Sequence, residues 1–381
     1  MTELARANQN AMSYNSGEHI GAPEMTYKAG GDIRFVVATG CQNGCNFCHL
    51  EGHKDRDELG TLNDALAGWK TAGKNIPLIE RLGGAVLDDD VKNTIRIAQL
   101  LGLNKVHLTG GEPTLHPNVL KIIDQFSKSG IQVGMTTHGE ISQSLMDQFL
   151  TSGLNGINFS IHAIEPSQYL TMDLIAQEIA SKYGEDAGLR FAQGRLKQKM
   201  RNITSAVTYS REQDRRFKVK ANSVVQDADT AEKIVRFCNN EGIDVRLQSN
   251  LNNKVASGAM IAEVIVRLDA IPVREDIAIG DSSGSGTVYA YSGGEFKVKS
   301  FGEIYLSSMC DPCDLRDTSD CRERFYGVRV EKGLVTTCID KQEKGTTSFS
   351  FDEFINLLER NKGVPAEIRT QYEAMSRMTE K

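Results

Sequence analysis

Apolar runs of strand length recur along the first two thirds of the chain, and amphipathic stretches separate most of them. Six such runs predict strands, at residues 33–38, 105–108, 131–136, 156–161, 217–225 and 243–248. Between two of them, residues 117–129 carry apolar side chains at helical spacing before Gly130. Alternation in units of about 30 residues predicts parallel strands with right-handed crossovers. We therefore predict an α/β fold, a partial (β/α)6 TIM-like barrel with ligand-binding loops at the carboxyl ends of its strands.

Changes in this pattern divide the chain into three predicted regions. Residues 1–31 are polar and mixed, and we expect an N-terminal leader there. The barrel is predicted at 32–255, with polar insertions at about 53–90 and 165–216. Residues 256–381 begin with a helix, continue as Gly- and Ser-rich hairpins, and end with a polar helix at 352–361 and a charged tail. We expect this C-terminal region to cap the open side of the barrel.

The composition narrows the class of partner. The chain has 381 residues and a formal charge of −6, which disfavours binding to a nucleic acid polymer but leaves room for a local basic pocket. It has no apolar run of about 18 residues, so we expect no membrane span. The polar start lacks the apolar core of a signal peptide. These features predict a cytoplasmic protein.

Cysteines form two groups, and one stands alone. The eight are Cys41, Cys45, Cys48, Cys238, Cys310, Cys313, Cys321 and Cys338. In a cytosolic chain of this size, clustering favours metal binding over disulfides. Cys238 lies alone in a helical stretch, and we predict that it is a buried, unreactive side chain.

The first group, Cys41-x3-Cys45-x2-Cys48, follows directly after a predicted strand. This spacing lets one loop place three thiolates around a single iron–sulfur cube. A cubane has four irons, so one iron would remain open to a small molecule. Phe47 would shield the cluster and could border an adenine ring. The alternative is a structural zinc site with His49 as the fourth ligand.

A second motif, Thr-Gly-Gly-Glu-Pro at 109–113, also follows a strand. Gly110 and Gly111 let the backbone approach a ligand closely, and a glycine turn can present amides to a carboxylate. Glu112 adds an acceptor suited to an ammonium group. Together these groups suit the zwitterion of an amino acid. The alternative is an ordinary turn between a strand and a helix.

The two motifs together resemble the radical S-adenosylmethionine (SAM) superfamily, over about residues 32–250. Within this superfamily, several short sequence motifs are similar to those of the GTP cyclase of molybdenum cofactor biosynthesis and its relatives. The matching phrases are Leu-Thr-Gly-Gly-Glu-Pro-Thr-Leu-His-Pro at 108–117, Thr-Thr-His-Gly at 136–139, Asn-Phe-Ser-Ile at 158–161 and Val-Lys-Ala-Asn-Ser-Val-Val at 219–225. Each phrase lies at a strand end.

This resemblance implies a role for each matching residue. Cys41, Cys45 and Cys48 would ligate a [4Fe–4S] cluster whose open iron is chelated by SAM. The expected SAM contacts are Gly110, Gly111 and Glu112 at the methionyl group, Thr137 and Ser160 at strand ends, Asn222 at the ribose, and Gln248 with Phe47 near the adenine. His138 replaces the asparagine common in the family phrase, so it is a core residue, a substrate contact or a proton donor.

The resemblance also implies the reaction. One electron from the reduced cluster would cleave a sulfur–carbon bond of SAM, and the resulting 5′-deoxyadenosyl radical would abstract a hydrogen atom from substrate. An electron donor such as flavodoxin or ferredoxin is implied. Besides His138, Lys220 and Arg246 are candidate catalytic residues. The basic residues that could hold an anionic substrate are Lys220, Arg246, Arg322, Arg324 and Arg329.

The second cysteine group comprises Cys310, Cys313, Cys321 and Cys338. The stretch 321–338 resembles the C-terminal phrase of the molybdenum cofactor cyclase, which builds an auxiliary cluster from three cysteines. Four thiols here favour a closed second [4Fe–4S] cluster, whereas three ligands would leave an iron open to substrate. A zinc knuckle and unreactive thiols are the alternatives.

The chain departs from that cyclase in its two insertions, its four C-terminal cysteines and its ending, which lacks a Gly-Gly tail. We therefore expect a relative in cofactor or natural-product biosynthesis. Its substrate would be a small nucleotide-, nucleoside- or sugar-like molecule that undergoes cyclisation, C–C bond formation or rearrangement. The alternatives are a peptide maturase with an auxiliary cluster, disfavoured by the lack of an evident peptide-recognition domain before residue 32, and a non-catalytic zinc-binding protein.

Overall fold

The computed structural model describes residues 22–28, 31–38, 40–48, 88–214, 216–280, 284–300, 304–318, 320–322 and 324–379. The strands in this part of the chain are β1 (Glu24–Lys28), β2 (Ile33–Ala38), β3 (Lys105–Gly110), β4 (Gln132–Thr137), β5 (Leu154–Ser160), β6 (Lys218–Val224), β7 (Asp244–Gln248), β8 (Ile271–Ala278), β9 (Gly286–Tyr291), β10 (Gly294–Lys299), β11 (Val328–Glu331), β12 (Leu334–Thr336) and β13 (Ser348–Ser350).

Helices lie between most of the central strands. They are α1 (Asp88–Leu100), α2 (Val119–Lys128), α3 (Gln143–Leu150), α4 (Pro166–Met172), α5 (Leu174–Tyr183), α6 (Glu185–Glu212), α7 (Ala228–Glu241), α8 (Lys254–Arg267), α9 (Ser307–Cys310), α10 (Phe351–Glu359) and α11 (Gly363–Thr379). Where described, none of them is both long and apolar enough to cross a membrane.

All thirteen described strands belong to one sheet, in the order β1-β8-β9-β10-β7-β6-β5-β4-β3-β2-β11-β12-β13. The six strands β2 to β7 are neighbours in sequence order, and every pair between them is parallel. This arrangement confirms the predicted partial (β/α)6 TIM-like barrel. The helices between the strands bury their apolar faces on it; in α2 these are the residues that the helical spacing predicted, including Phe126, whose ring packs edge-on at 5.2 Å from Phe35.

Strands from the predicted C-terminal region extend the same sheet at both ends. β10 pairs in parallel with β7, and β8, β9 and β10 form an antiparallel meander. At the other end, β11 pairs in parallel with β2 and begins the β11–β12–β13 antiparallel run. β1, within the predicted leader, pairs with β8. The division into leader, barrel and C-terminal region stays a prediction.

The two predicted insertions differ in what can be described. Most of the first, together with His49 and the first part of the leader, lies outside the described residues. The second forms α4, α5 and α6. These helices share a small apolar cluster with the cysteine loop, which contains Phe47, Tyr169, Met172, Ala192 and Leu196. The second insertion is therefore packed against the cysteine loop.

Candidate active site

A cleft opens at the carboxyl ends of the central strands, with about 1330 Å³ of empty space including the part open to solvent. Its lining contains twelve of the residues predicted from the sequence: Cys41, Cys45, Phe47, Cys48, Gly110, Gly111, Glu112, Thr137, His138, Ser160, Asn222 and Gln248. They come from the ends of β3 to β7 and from the loop after β2. The shared fold geometry therefore brings together groups that are up to about 200 residues apart in the chain.

Backbone hydrogen bonds join the cysteine loop to the Gly-Gly-Glu loop. Gly111 N donates to Ala38 O at 2.8 Å, and Glu112 N donates to Gly40 O at 2.9 Å. Gly110 makes this approach possible, because its φ is +133° and an added Cβ would lie 2.0 Å from Ala38 O. The loops are thus fixed to one another, and two of the amides considered for a ligand carboxylate are already used by the protein.

Glu112 is buried, and its carboxylate is hydrogen-bonded by the protein. Oε1 accepts from Thr114 N at 3.1 Å, Thr114 Oγ1 at 2.7 Å and Thr137 Oγ1 at 2.8 Å, while Oε2 accepts from His138 N at 2.8 Å. It also caps the short 3-10 helix Pro113–Leu115. These contacts tie the end of β3 to the end of β4. A contact between Glu112 and a ligand ammonium stays a prediction.

His138 is a neutral imidazole in this wall. Its Nδ1 accepts from Glu140 N at 2.8 Å, so the proton lies on Nε2. Burial lowers the pKa of His138, although Glu112 and Glu140 act in the opposite direction. Nε2 lies 3.4 Å from Glu112 Oε2, and the two side chains would form an ion pair only if the ring were protonated. We regard the ring as uncharged because burial is the largest effect.

The cleft wall contains polar atoms that suit a bound ligand. His138 Nε2 and Asn222 Oδ1 are buried and have no hydrogen-bond partner among the described residues. Buried polar atoms are normally satisfied, so a donor and an acceptor left over in one cleft favour an occupant with polar groups. The cleft therefore fits a ligand such as SAM, which has an amino acid part and a nucleoside part.

The three thiols at 41, 45 and 48 are close enough to influence one another. Burial raises the pKa of Cys41 and Cys45, and the neighbouring thiols raise both further. Thiols in such surroundings stay protonated until a metal displaces the proton. Among the residues that the structure describes, no three His, Cys, Asp or Glu side chains are placed so that they could hold one metal ion. A cubane carries each cysteine on a different iron, and three soft thiolates suit it.

Sequence reasoning missed several side chains of this site. His107, Asn158 and His162 line the cleft from β3, β5 and the turn after β5. Burial lowers the pKa of His162 to about 3, its Nδ1 accepts from Val224 N at 3.1 Å, and its ring packs edge-on at 4.6 Å from Phe47. The positions of Asn158 and His162 near the end of β5 are a signal that could have identified them, whereas His107 lies in the middle of β3.

Other lining residues carry charge. Arg34, Lys199 and Lys299 line the cleft, together with Tyr326 from the C-terminal region. The guanidinium of Arg34 lies 4.8 Å from the centre of the Tyr326 ring, and Lys299 Nζ lies 4.5 Å from it. Lys199 comes from α6 in the second insertion, where local periodicity gave no sign of a role in the site.

The basic residues proposed from the sequence lie elsewhere in the sheet or the C-terminal region. Lys220 and Arg246 are not in the cleft lining; Arg246 is buried on β7, in register with Asn222 on β6 and Lys297 on β10. Arg322 pairs with Asp340 at 2.6 Å, the guanidinium of Arg324 is 3.9 Å from the Tyr305 ring, and Arg329 is buried on β11. Their catalytic or substrate-binding roles stay predictions.

The four C-terminal cysteines lie close to one another. Burial raises the pKa of Cys310 first, and the thiols of Cys338, Cys321 and Cys313 raise it further. Cys313 N donates to Cys310 O at 3.1 Å, which closes the turn between the first pair. Cys338 Sγ accepts from Lys341 N at 3.4 Å. Thiolates are the donors that a closed cluster or a zinc ion takes, but no three of these four side chains are placed as metal ligands in the described residues, so a metal site here stays a prediction.

Comparisons with known proteins agree with this geometry. Residues 35–191 match the radical SAM superfamily. The probable GTP 3′,8-cyclase of Sulfolobus acidocaldarius is 30% identical over 136 residues, which are 35% of this chain and 35% of the relative. That of Thermococcus kodakarensis is 28% identical over 138 residues, 36% of this chain and 37% of the relative. The chain thus matches little more than a third of the length of these curated relatives.

Among solved structures, the crystal structure of Streptococcus suis SuiB bound to precursor peptide SuiA is similar in fold. Its TM-score is 0.50 at 12% identity, and the match covers 93% of this chain and 75% of that chain. At this identity the likeness concerns the fold alone. The family match identifies residues 35–191 as a radical SAM domain.

Proposed function

We propose that the protein is a radical SAM enzyme that acts on a small molecule. The observation that carries the proposal is the convergence of Cys41, Cys45 and Cys48 with the Gly110–Glu112 loop on one cleft, where two backbone hydrogen bonds join the loops. When bound, the cluster and SAM would supply an electron and a carbon-centred radical for hydrogen abstraction. The chain's own residues bind, orient and shield these groups.

Each wall of the cleft has a distinct task in this proposal. Cys41, Cys45 and Cys48 hold the cluster, while Phe47 and the uncharged His162 exclude water from one side. His138 Nε2–H and Asn222 Oδ1 offer a donor and an acceptor to SAM or substrate. A neutral donor suits this place, because it orients a ligand without adding a buried charge. Thr137, Ser160 and Gln248 complete the polar wall.

The four C-terminal cysteines would hold a second [4Fe–4S] cluster. All four thiols fall in one short segment, residues 310–338, which favours a set of four ligands rather than three. A closed cluster would serve electron transfer or structure. Tyr326, which follows Cys321 closely, lines the cleft and brings this region to the proposed substrate site.

The proposed substrate is a nucleotide-, nucleoside- or sugar-like molecule, converted by cyclisation, C–C bond formation or rearrangement. The similarity to proteins named probable GTP 3′,8-cyclase supports a small molecule of this kind. Arg34 and Lys299 in the lining favour an anionic one, because opposite charges attract most strongly in a partly desolvated cleft. A small reductant protein of the flavodoxin or ferredoxin type would supply electrons, and we propose a cytoplasmic location.

Anaerobic purification followed by metal analysis and a SAM cleavage assay tests the proposal. We expect about eight irons per chain, since each cubane holds four, and broad visible absorption. Reduced protein with SAM should yield 5′-deoxyadenosine, and Cys45→Ala should abolish this activity. Cys238→Ala is the matched control, because that thiol is buried in α7 away from both groups. Stoichiometric zinc without iron, or full activity of Cys45→Ala, would contradict the proposal.

A further inference from the structure

A buried ion network links α6 to the end of β4. Arg195 Nε lies 2.6 Å from Glu140 Oε2, and Lys199 Nζ lies 3.0 Å from Glu140 Oε1. Tyr169 OH also donates to Glu140 Oε2, at 3.1 Å. The side chains of Glu140 and Lys199 are 0% and 1% exposed, and that of Arg195 is 12% exposed. Removing one partner from such a network is costly, because it leaves the others buried and uncompensated.

The same network holds the residues between Cys41 and Cys45. Asn43 Nδ2 donates to Glu140 Oε1 at 3.2 Å, and Gln42 Nε2 donates to Glu140 O at 3.2 Å. Arg195 in turn donates to Asn43 Oδ1 and to Gln42 O. The carboxylate and the guanidinium therefore hold the cysteine loop through the Asn43 side chain and the Gln42 carbonyl, while the Gln42 side chain bonds to the backbone of Glu140. No other role in the proposed chemistry accounts for these contacts.

Two cations face one carboxylate in this network. Burial alone would raise the pKa of Glu140. The positive charges of Lys199 and Arg195 outweigh burial and hold this pKa well below its ordinary value. Lys199 Nζ also donates to Ser160 O at 3.2 Å and lines the cleft. Lys199 therefore places a positive charge from α6 in the wall of the cleft that Cys41, Cys45 and Cys48 also line.

We propose that Glu140, Arg195 and Lys199 are positioning residues, which hold the cysteine loop in the arrangement that ligates the cluster. This inference rests on the proposed function, because it assumes that Cys41, Cys45 and Cys48 bind iron. The inference gives α6, which lies between β5 and β6 in the chain, a role in holding the loop that follows β2. Holding the ligands before the metal arrives reduces the ordering that cluster binding must impose.

Glu140→Gln and Asn43→Ala test the proposal from two sides. Glu140→Gln keeps the shape of the side chain but removes its charge from the network. Asn43→Ala leaves the three charged residues in place and removes only their contacts with the Asn43 side chain. Lys197→Met is the matched control, because Lys197 is exposed on the same helix. Each protein is prepared anaerobically with its full complement of iron, and urea denaturation of each holoprotein measures folding.

We expect both test variants to lose iron to a chelator about tenfold faster than the unmodified protein, since partners of metal ligands typically affect affinity by that much or more. The electron paramagnetic resonance spectrum of the reduced protein should change as well. The second cysteine group is the same in every variant, so any difference belongs to the first site. Glu140→Asp, which retains the charge, should restore part of the retention, and Lys197→Met should match the unmodified protein.

Unchanged iron release and an unchanged spectrum in Asn43→Ala would overturn the inference. So would a Glu140→Gln protein that is less stable to urea but has the original spectrum and iron release, because the network would then be merely structural. Failure of the proposed function gives a different result: the unmodified protein itself would bind no iron at the first site.

Discussion

Replacing Gly110 with alanine should separate the Gly-Gly-Glu loop from the cysteine loop. The new Cβ would lie 2.0 Å from Ala38 O and 3.1 Å from Ala38 C, and both atoms belong to backbone. Neither atom is the end of a flexible side chain that could turn away. The two loops must therefore move apart until the contact reaches the usual separation of about 3.5 Å. The hydrogen bond from Gly111 N to Ala38 O, now 2.8 Å, cannot survive that shift.

The magnitude has two parts. A residue other than glycine in a sparsely populated backbone region costs about 1–3 kcal/mol, and Gly110 has φ +133°. Loss of one buried backbone hydrogen bond adds about 1 kcal/mol or more. We expect the free energy of unfolding to fall by about 2–4 kcal/mol. Gly102→Ala is the matched control, because Gly102 also has a positive φ, +69°, but an added Cβ there meets nothing within 4 Å.

Urea denaturation of both variants, with iron content measured on the same preparations, gives the result. Gly110→Ala should be less stable than Gly102→Ala, with an unchanged dependence on urea concentration, and only Gly110→Ala should lose iron. The difference between the two variants reports the clash with Ala38 together with the extra backbone strain at φ +133° compared with φ +69°. Equal loss of stability in the two variants, with full iron content in both, would refute the reasoning.

Three further outcomes are expected. Gly194→Ala should raise the free energy of unfolding by about 0.5–1 kcal/mol in urea denaturation, because Gly194 lies exposed inside α6 with nothing within 4 Å of an added Cβ; a loss of stability would contradict this. Acidification from pH 6.5 to 3 should destabilise the protein, because burial lowers the pKa of His162 to about 3 and only the unfolded chain binds a proton at this side chain in that range. His162→Gln should therefore flatten the pH dependence of the free energy of unfolding between pH 6.5 and 3, and an unaltered slope would count against this reasoning. Cys238 should resist alkylation in the native protein and react only on unfolding, because burial raises its pKa; rapid native modification, read by mass spectrometry, would disprove its burial.

The barrel could be predicted because its signals are local. The strands β2 to β7 carry apolar residues over short stretches, and helices such as α2 and α7 repeat apolar residues on one face before a stop. Gly130 and Gly242, which follow α2 and α7, have φ values of +76° and +72°, so a residue without a Cβ is favoured there. Parallel pairing then places every strand end at the same edge, which is why the motifs at the strand ends and in the cysteine loop located nearly half of the cleft lining.

The Glu140 network could not be predicted, because it depends on pairing across long stretches of chain. Arg195 and Lys199 lie more than 50 residues from Glu140, inside a helix whose overall pattern is polar. A charged side chain on such a helix is normally solvated, and its burial becomes visible only when the helix is docked. Glu112 is a similar case. Its motif predicts a role in the site, but the sequence does not reveal that Thr114, Thr137 and the backbone N–H of His138 donate hydrogen bonds to its carboxylate.

The cysteine loop is held from two directions, and the two sets of contacts differ in kind. On the β3 side, the partners are backbone amides, which depend on Gly110 and carry no charge. On the helical side, Gly44 N donates to Asp173 Oδ2 at 2.8 Å, and Leu174 N donates to Gly44 O at 2.8 Å, at the junction of α4 and α5. The Glu140 network adds charged contacts on this second side. Loss of the helical contacts would leave the Gly-Gly-Glu loop attached to a cysteine loop with one free flank, so ligation by Cys45 should suffer before the SAM side of the cleft does.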